Sequence, residues 1–368
     1  MITTREPDTR SAGADDGFAL LEAMVAIPSV STQEGPLGEF LTGRLGAMGF
    51  ATHRDEVGNV VADWGRGPRE VLLLGHIDTV PGMIPVRREG DRLFGRGAVD
   101  AKGPFAAAAT AIARQPSDAH GRFTLIGAVE EEGTSRGARH LLSRRAPDHL
   151  VILEPSGWDA ITLGYKGSLR AVYRLTQPMS HGAGPVASAA DRAIAFVRRI
   201  QDHAASFNEG KGSEGKGSEG KGRFERLDVR VLTFQADHDG MTDVAELTVA
   251  FRTPPGFDVQ GLGHDLQGWN EDAELRIDYA DAAVRAEKNT PLVRAFLQGI
   301  RDAGGTPRFK MKTGTSDMNI LAPAWGCATL AYGPGDSRLD HTPDEAIDRA
   351  DFGRGVDVLA AALGTLAR

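Results

Sequence analysis

The sequence predicts an α/β protein: a mostly parallel mixed sheet with helices on both faces, carrying an inserted ferredoxin-like α+β domain. Three observations predict it. Short apolar runs at 60–64, 71–74, 123–129 and 150–153 alternate with helical patterns, as strands covered on both faces do. Further along, Leu169, Ala171, Tyr173 and Leu175 alternate with Ser168, Arg170, Val172 and Arg174, the signature of a sheet with one solvated face. At 368 residues, a single core is stretched and two domains are expected.

The elements follow in order. Phe18, Leu21, Met24 and Val25 share one helical face, and Pro28 ends that helix. A second helix starts with Pro36 in its first turn and stops at Gly49. A small-residue helix spans 104–113. The alternating strand at 168–175 is followed by a helix over 188–205, strands near 228–234 and 245–252, a helix near 260–268 and a strand at 274–279. That β-α-β-β-α-β order is the ferredoxin-like split arrangement. Helix 291–303, strands 308–312 and 327–331 and a closing helix 351–366 complete the chain. The expected boundaries are 1–164 and 287–368 for the larger domain and 165–286 for the inserted one.

Composition narrows the class. Hydrophobic residues make up 41% and charged residues 25%, ordinary for a globular enzyme. A formal net charge of -8 and the lack of a basic stripe argue against nucleic acid. One cysteine, Cys327, rules out an internal disulfide framework and leaves metal binding to imidazoles and carboxylates. The polar N-terminus has no apolar h-region and no apolar run is long enough to span a bilayer, so a cytoplasmic protein is expected, loosely ordered over its first fifteen or so residues. Residues 210–222 read GKGSE-GKGSE-GKG, a repeat that cannot bury anything and predicts a flexible loop. Its match to the dinucleotide-binding fingerprint has no preceding strand, and its approach to a P-loop has Gly217 where Ser or Thr is required.

Chemistry-bearing residues collect at strand ends. His76 and Asp78 follow the run 71–74; Glu130, Glu131 and Glu132 follow 123–129; Glu154 follows 150–153. Asp100 lies in the glycine-rich G-R-G-A-V-D-A-K-G before a helix, and His341 lies in a loop before the last helix. Taken singly, a histidine beside a strand or a run of glutamates is more often structural or solvated. Taken together, strand ends of one sheet that each deliver a ligand-type residue point to a two-metal hydrolase. Asp100 suits a carboxylate bridging two metals, His76 a ligand, and Asp78 the residue that orients the His76 ring. Neighbouring glutamates at a strand end are expected to point opposite ways, one to metal and one to water.

The motifs G-H-I-D-T-V-P-G, G-R-G-A-V-D-A-K-G-P, E-E-E-G-T-S-R-G-A, E-P-S and the late His341 resemble the M20 family of metallopeptidases and deacylases over essentially the whole chain. The resemblance implies a zinc-dependent exopeptidase type of fold, a lid that often mediates dimers, and two zinc ions, with cobalt a possible substitute. It implies zinc ligands His76, Asp100 (bridging), Glu132, Glu154 and His341, with Glu131 as general base and Asp78 supporting His76. It also implies a cis Asp100-Ala101 peptide. In the lid, His181 and Arg252 are similar to the family residues that reach a substrate carbonyl and carboxylate. The segments E-P-S-G-W-D-A-I-T-L-G-Y-K-G-S and K-T-G-T-S-D-M-N resemble the branch of the family that frees lysine or ornithine from the C-terminal glutamate of an acidic amino-group carrier protein, in lysine biosynthesis through α-aminoadipate. Acetylornithine or acetyl-lysine deacetylase and dipeptidase are the alternatives within the family. A metal-binding protein without catalysis is the alternative outside it.

Overall fold

The computed structural model describes residues 9–116, 121–209 and 221–367. The loop expected over 210–222 lies, for residues 210–220, outside the described residues. The described chain forms two compact units: Met1–Leu163, Ala286–Lys310 and Ile320–Arg368 in one, Gly164–Arg285 and Met311–Asn319 in the other.

The first unit is built on a mixed sheet. Its strands run in the order Ala51–Arg54, Val60–Gly65, Gly121–Ala128, Arg69–His76, His149–Ile152, Ala328–Ala331 and Ala160–Tyr165. Parallel pairing is confined to the four from Gly121–Ala128 to Ala328–Ala331, and the flanking pairings are antiparallel. Leu72, Leu73 and Leu74 are fully buried, as a strand covered on both faces requires. The helix Lys102–Ala113 is buried from Lys102 to Ile112, and its run of alanines lets it lie close to the sheet. Phe105 fits there because Gly75 and Gly127, paired on adjacent strands, present no Cβ: one built on Gly75 would stand 2.9 Å from the Leu153 Cβ and 3.5 Å from Phe105.

The first helix begins at Thr9, well inside the stretch expected to be loosely ordered. It is anchored at its other end. The Lys102 ammonium donates to the carbonyls of Met24 (3.1 Å), in the last turn of the helix, and of Ile27 (2.9 Å), just beyond it, where the helix dipole is negative. Burial pushes the Lys102 pKa down to about 8.

The second unit has the predicted order of elements. Four antiparallel strands lie in the order Asp228–His238, Thr242–Thr253, Gly167–Pro178 and Glu274–Asp281. The helices Ala189–Asn208 and Val259–Trp269 pack on one face, where Tyr173, Phe196, Ile200, Leu247, Phe251 and Leu266 form the core. Ser188 caps the longer helix in a capping box with Asp191. One boundary differs from expectation. Residues 311–319 group with this unit instead of with 287–368, because their polar groups are satisfied there. The Lys312 carbonyl accepts from the Lys166 N–H, and the Asn319 amide donates to the carbonyls of Lys166 (3.0 Å) and Ala282 (2.8 Å).

Candidate active site

Three parallel strands end at the same edge of the first unit's sheet. His76 is the last residue of Arg69–His76 and pairs in register with Ala128, while Leu74 pairs with Ile152. Glu130–Glu132 and Glu154 therefore leave the sheet beside His76, at the carboxyl ends of strands where open α/β sheets place their sites. Asp100 arrives from the loop between Phe94 and Lys102, with a cis Asp100-Ala101 peptide as the resemblance implies. His341 arrives from a turn with φ of 60°.

Asp100 stands between the two imidazoles. Its Oδ1 is 3.2 Å from His76 Nε2, and its Oδ2 is 3.1 Å from His341 Nε2. Glu154 Oε1 lies 3.8 Å from His76 Nε2, and Glu132 Oε1 lies 2.7 Å from His341 Nε2. Two trios thus share one carboxylate: His76, Asp100 and Glu154, and Asp100, Glu132 and His341. The ligand atoms of each trio lie within 4.8 Å of one another, as do those of His76, Glu131 and Glu132.

The donor set fits divalent cations. His76 Nδ1 faces acceptors, the Asp78 carbonyl at 3.0 Å and its Oδ1 at 3.4 Å, which hold the proton on that nitrogen. The Nε2 lone pair then confronts the carboxylates of Asp100 and Glu154, an arrangement that calls for a positive charge between them. The titration of both imidazoles reflects the same field. Burial works to lower the His76 pKa, but hydrogen bonds to Asp100 and Asp78 and the Glu131 charge hold it well above the usual range. Hydrogen bonds to Asp100 and Glu132 push His341 up to about 10. A cation is strongly favoured here, and oxygen and imidazole donors suit zinc or its neighbours in the first row.

Asp78 is fully buried and supports more than the His76 ring. Its Oδ1 accepts the Glu131 N–H (3.0 Å), and its Oδ2 accepts the Glu132 N–H (3.0 Å) and the Ser31 hydroxyl (2.7 Å). Burial works to raise its pKa, yet the hydrogen bonds from His76, Ser31 and the Glu132 amide win and hold the carboxyl below its ordinary range. This corrects the expected strand-end alternation. The strand stops at Ala128 and residues 131–134 form a turn, so Glu131 and Glu132 both offer oxygens to the His76 side. Glu130 points elsewhere, accepting from Arg136 Nε at 2.8 Å and the Thr134 hydroxyl at 2.7 Å.

Sequence reasoning missed three supporting residues. Ser31 braces Asp78; Glu34 accepts the Glu130 N–H at 3.0 Å; and Glu345, fully buried, accepts the N–H groups of Val99 and Asp100. Nothing in their local pattern marks them, although Glu345 closes the D-S-R-L-D-H-T-P-D-E run that carries His341. The two lid candidates lie in the second unit. His181 sits in an exposed loop, where its Nδ1 accepts the Ala183 N–H at 3.2 Å. Arg252 is the next-to-last residue of the strand Thr242–Thr253 and donates to the Thr315 hydroxyl at 2.8 Å.

A mixed sheet with imidazoles and carboxylates gathered at its parallel strand ends defines a metal-dependent hydrolase fold, and the comparisons agree. Residues 72–365 match the model of Peptidase family M20/M25/M40, and the chain belongs to that family. It is 42% identical to a [LysW]-lysine hydrolase of Deinococcus radiodurans over 99% of both chains. It is 39% identical to a putative [LysW]-lysine/[LysW]-ornithine hydrolase of Thermococcus kodakarensis, over 94% of this chain and 91% of that one. Among solved structures, an M20 family metallo-carboxypeptidase from Sulfolobus solfataricus has a TM-score of 0.80 at 18% identity, covering 96% of this chain and 99% of that one, which supports the fold. No helix among the described residues is long and apolar enough to cross a membrane.

Proposed function

We propose that this chain is a dinuclear zinc amidohydrolase that releases lysine, or ornithine, from the C-terminal glutamate of an amino-group carrier protein, in lysine biosynthesis in the cytoplasm. The full-length identity to [LysW]-lysine hydrolase supports the substrate class. The observation that carries the chemistry is Asp100, whose two oxygens each face a different imidazole.

In this reading His76, Asp100 and Glu154 hold one cation, Glu132, His341 and Asp100 the other, and cobalt can substitute. A pair of bound cations supplies Lewis acidity toward the amide carbonyl and the attacking water. Glu131 takes the proton from that water and passes it to the leaving amine nitrogen. Asp78 keeps Glu131 and Glu132 in place through their backbone N–H groups and fixes the tautomer of His76. His181 reaches the substrate carbonyl, and Arg252 grips a substrate carboxylate through its planar fork. The second unit, Gly164–Arg285 with Met311–Asn319, serves as lid and dimer surface. Its edge strand Asp228–His238 leaves Leu232 and Phe234 exposed, as an interface between two copies would require.

The test is release of free lysine from the carrier-linked substrate, compared with N-acetyl-lysine and N-acetyl-ornithine, with and without chelator. Chelator-sensitive release from the carrier alone is expected; equal or better turnover of an acetylated amino acid would move the assignment to a deacetylase. Glu131→Gln should abolish turnover with zinc still bound, and undiminished turnover would remove Glu131 as base.

A further inference from the structure

Arg96 and Glu345 form a buried charge pair, Nη1 to Oε2 at 2.8 Å, with side chains only 12% and 1% exposed. Pairs of this kind are not reliably stabilising, so their contacts deserve a reason. Each partner reaches the backbone of a ligand-bearing loop. Glu345 Oε1 accepts the N–H of Val99 (2.9 Å) and of Asp100 (3.1 Å), and the Glu345 carbonyl accepts the Gly95 N–H (3.2 Å). Arg96 Nη1 donates to the carbonyl of Thr342 (3.2 Å), the neighbour of His341, and its Nε donates to the carbonyl of Gly82 (3.1 Å) in the loop that follows His76 and Asp78. One ion pair therefore joins the loop that follows His76 and Asp78 to the loops that deliver Asp100 and His341.

We propose that Arg96 and Glu345 are positioning residues that set the spacing of the two half-sites, and that the half-site of Glu132 and His341 depends on them most. The inference rests on the two-metal reading above. The unequal dependence follows from how the ligands are held. His76 ends a strand and Glu154 follows one, paired in parallel register. Glu132 and His341 both come from turns, and His341 is tied to the rest through Thr342 and Arg96. Glu345→Gln keeps the shape but sets an amide NH2 either against Arg96 or against the two backbone N–H groups, so the clamp opens.

The test is calorimetric titration of zinc into the metal-stripped full-length protein. Wild type tests the underlying reading: two equivalents support it, and fewer overturn it regardless of the variants. Glu345→Gln tests the clamp. One equivalent should bind as in wild type, and the other should weaken roughly 10- to 100-fold, the usual effect of losing a residue that orients ligands. Glu70→Gln is the structural control, because Glu70 pairs with Arg122 and Arg144 near the opposite end of the strand Arg69–His76 and should leave both equivalents intact. Two equivalents at wild-type affinity in Glu345→Gln, or equal weakening of both, would overturn the proposal. If Glu345→Gln does not fold, Arg96→Lys replaces it, since one ammonium cannot serve Glu345, Thr342 and Gly82 together. Failure of both to fold while Glu70→Gln folds makes the pair purely structural and also overturns it.

Discussion

Replacing Asp78 by asparagine tests how the site is held together. The carboxylate presents two acceptors, and each receives a backbone N–H: Glu131 on Oδ1 and Glu132 on Oδ2, both at 3.0 Å. An amide presents one acceptor and one donor. Whichever way it turns, its NH2 meets one of those N–H groups, and a shielded donor is left without an acceptor. That costs about 1–3 kcal/mol. The Ser31 hydroxyl can rotate and accept instead, so it adds little to the loss. The displaced turn carries both Glu131 and Glu132, and His76 loses the charge beside its Nδ1, so zinc affinity should fall roughly 10- to 100-fold. Urea unfolding of the metal-stripped protein measures the first effect, and zinc titration with a lysine-release assay measures the second. Wild-type stability and affinity in the asparagine variant would refute the view that Asp78 organises both glutamates. Ser31→Ala, which leaves the two backbone bonds intact, should cost about 1 kcal/mol and keep zinc affinity nearly unchanged.

Other perturbations separate stability from chemistry. Burial works to raise the Glu70 pKa, but the Thr124 hydrogen bond and the charges of Arg144 and Arg122 hold it below the ordinary glutamate range. A depressed carboxylate contributes stability that is complete above the unfolded value and is lost as pH falls below about 4.3 toward the folded value. Glu70→Gln should therefore lower stability at pH 7 by about 1–3 kcal/mol and flatten the acid loss in urea melts at pH 7 and pH 3.5; an unchanged acid slope would assign that loss to other groups. Gly75→Ala places a Cβ 2.9 Å from the Leu153 Cβ, between the strand ends that deliver His76 and Glu154. It should cost about 1–3 kcal/mol and weaken zinc binding, read by thermal melts and titration. Arg252→Lys removes the fork while keeping the charge, so KM for carrier-linked lysine should rise with little change in kcat; an unchanged KM would remove Arg252 from substrate binding.

Much of the fold was legible because burial imposes periodicity. The run 71–74, the alternation from Leu169 to Leu175 and the first-turn proline Pro36 each reflect a local rule, and the elements appear within a few residues of their expected places. The strands Ala51–Arg54, Ala160–Tyr165 and Ala346–Asp348 carry no such pattern, being short or bounded by weak turn signals, and went unseen. The helix Met318–Trp325 contains Pro323, and tertiary context overrides that breaker.

The site divides the same way. Residue type was enough to single out candidates, with position after a strand marking His76, Asp78 and Glu154 and a loop ahead of a helix marking Asp100 and His341, since a ligand's chemistry is written in its own side chain. Register and support were decided only in three dimensions. The separation of Glu130 from Glu131 and Glu132 depends on a turn held by Asp78, 53 and 54 residues away from the two amides it accepts. Arg96 and Glu345 meet across 249 positions. Long-range partners of this kind leave no periodic trace, because the hydrogen bonds that make them matter exist only once the strands have been brought side by side.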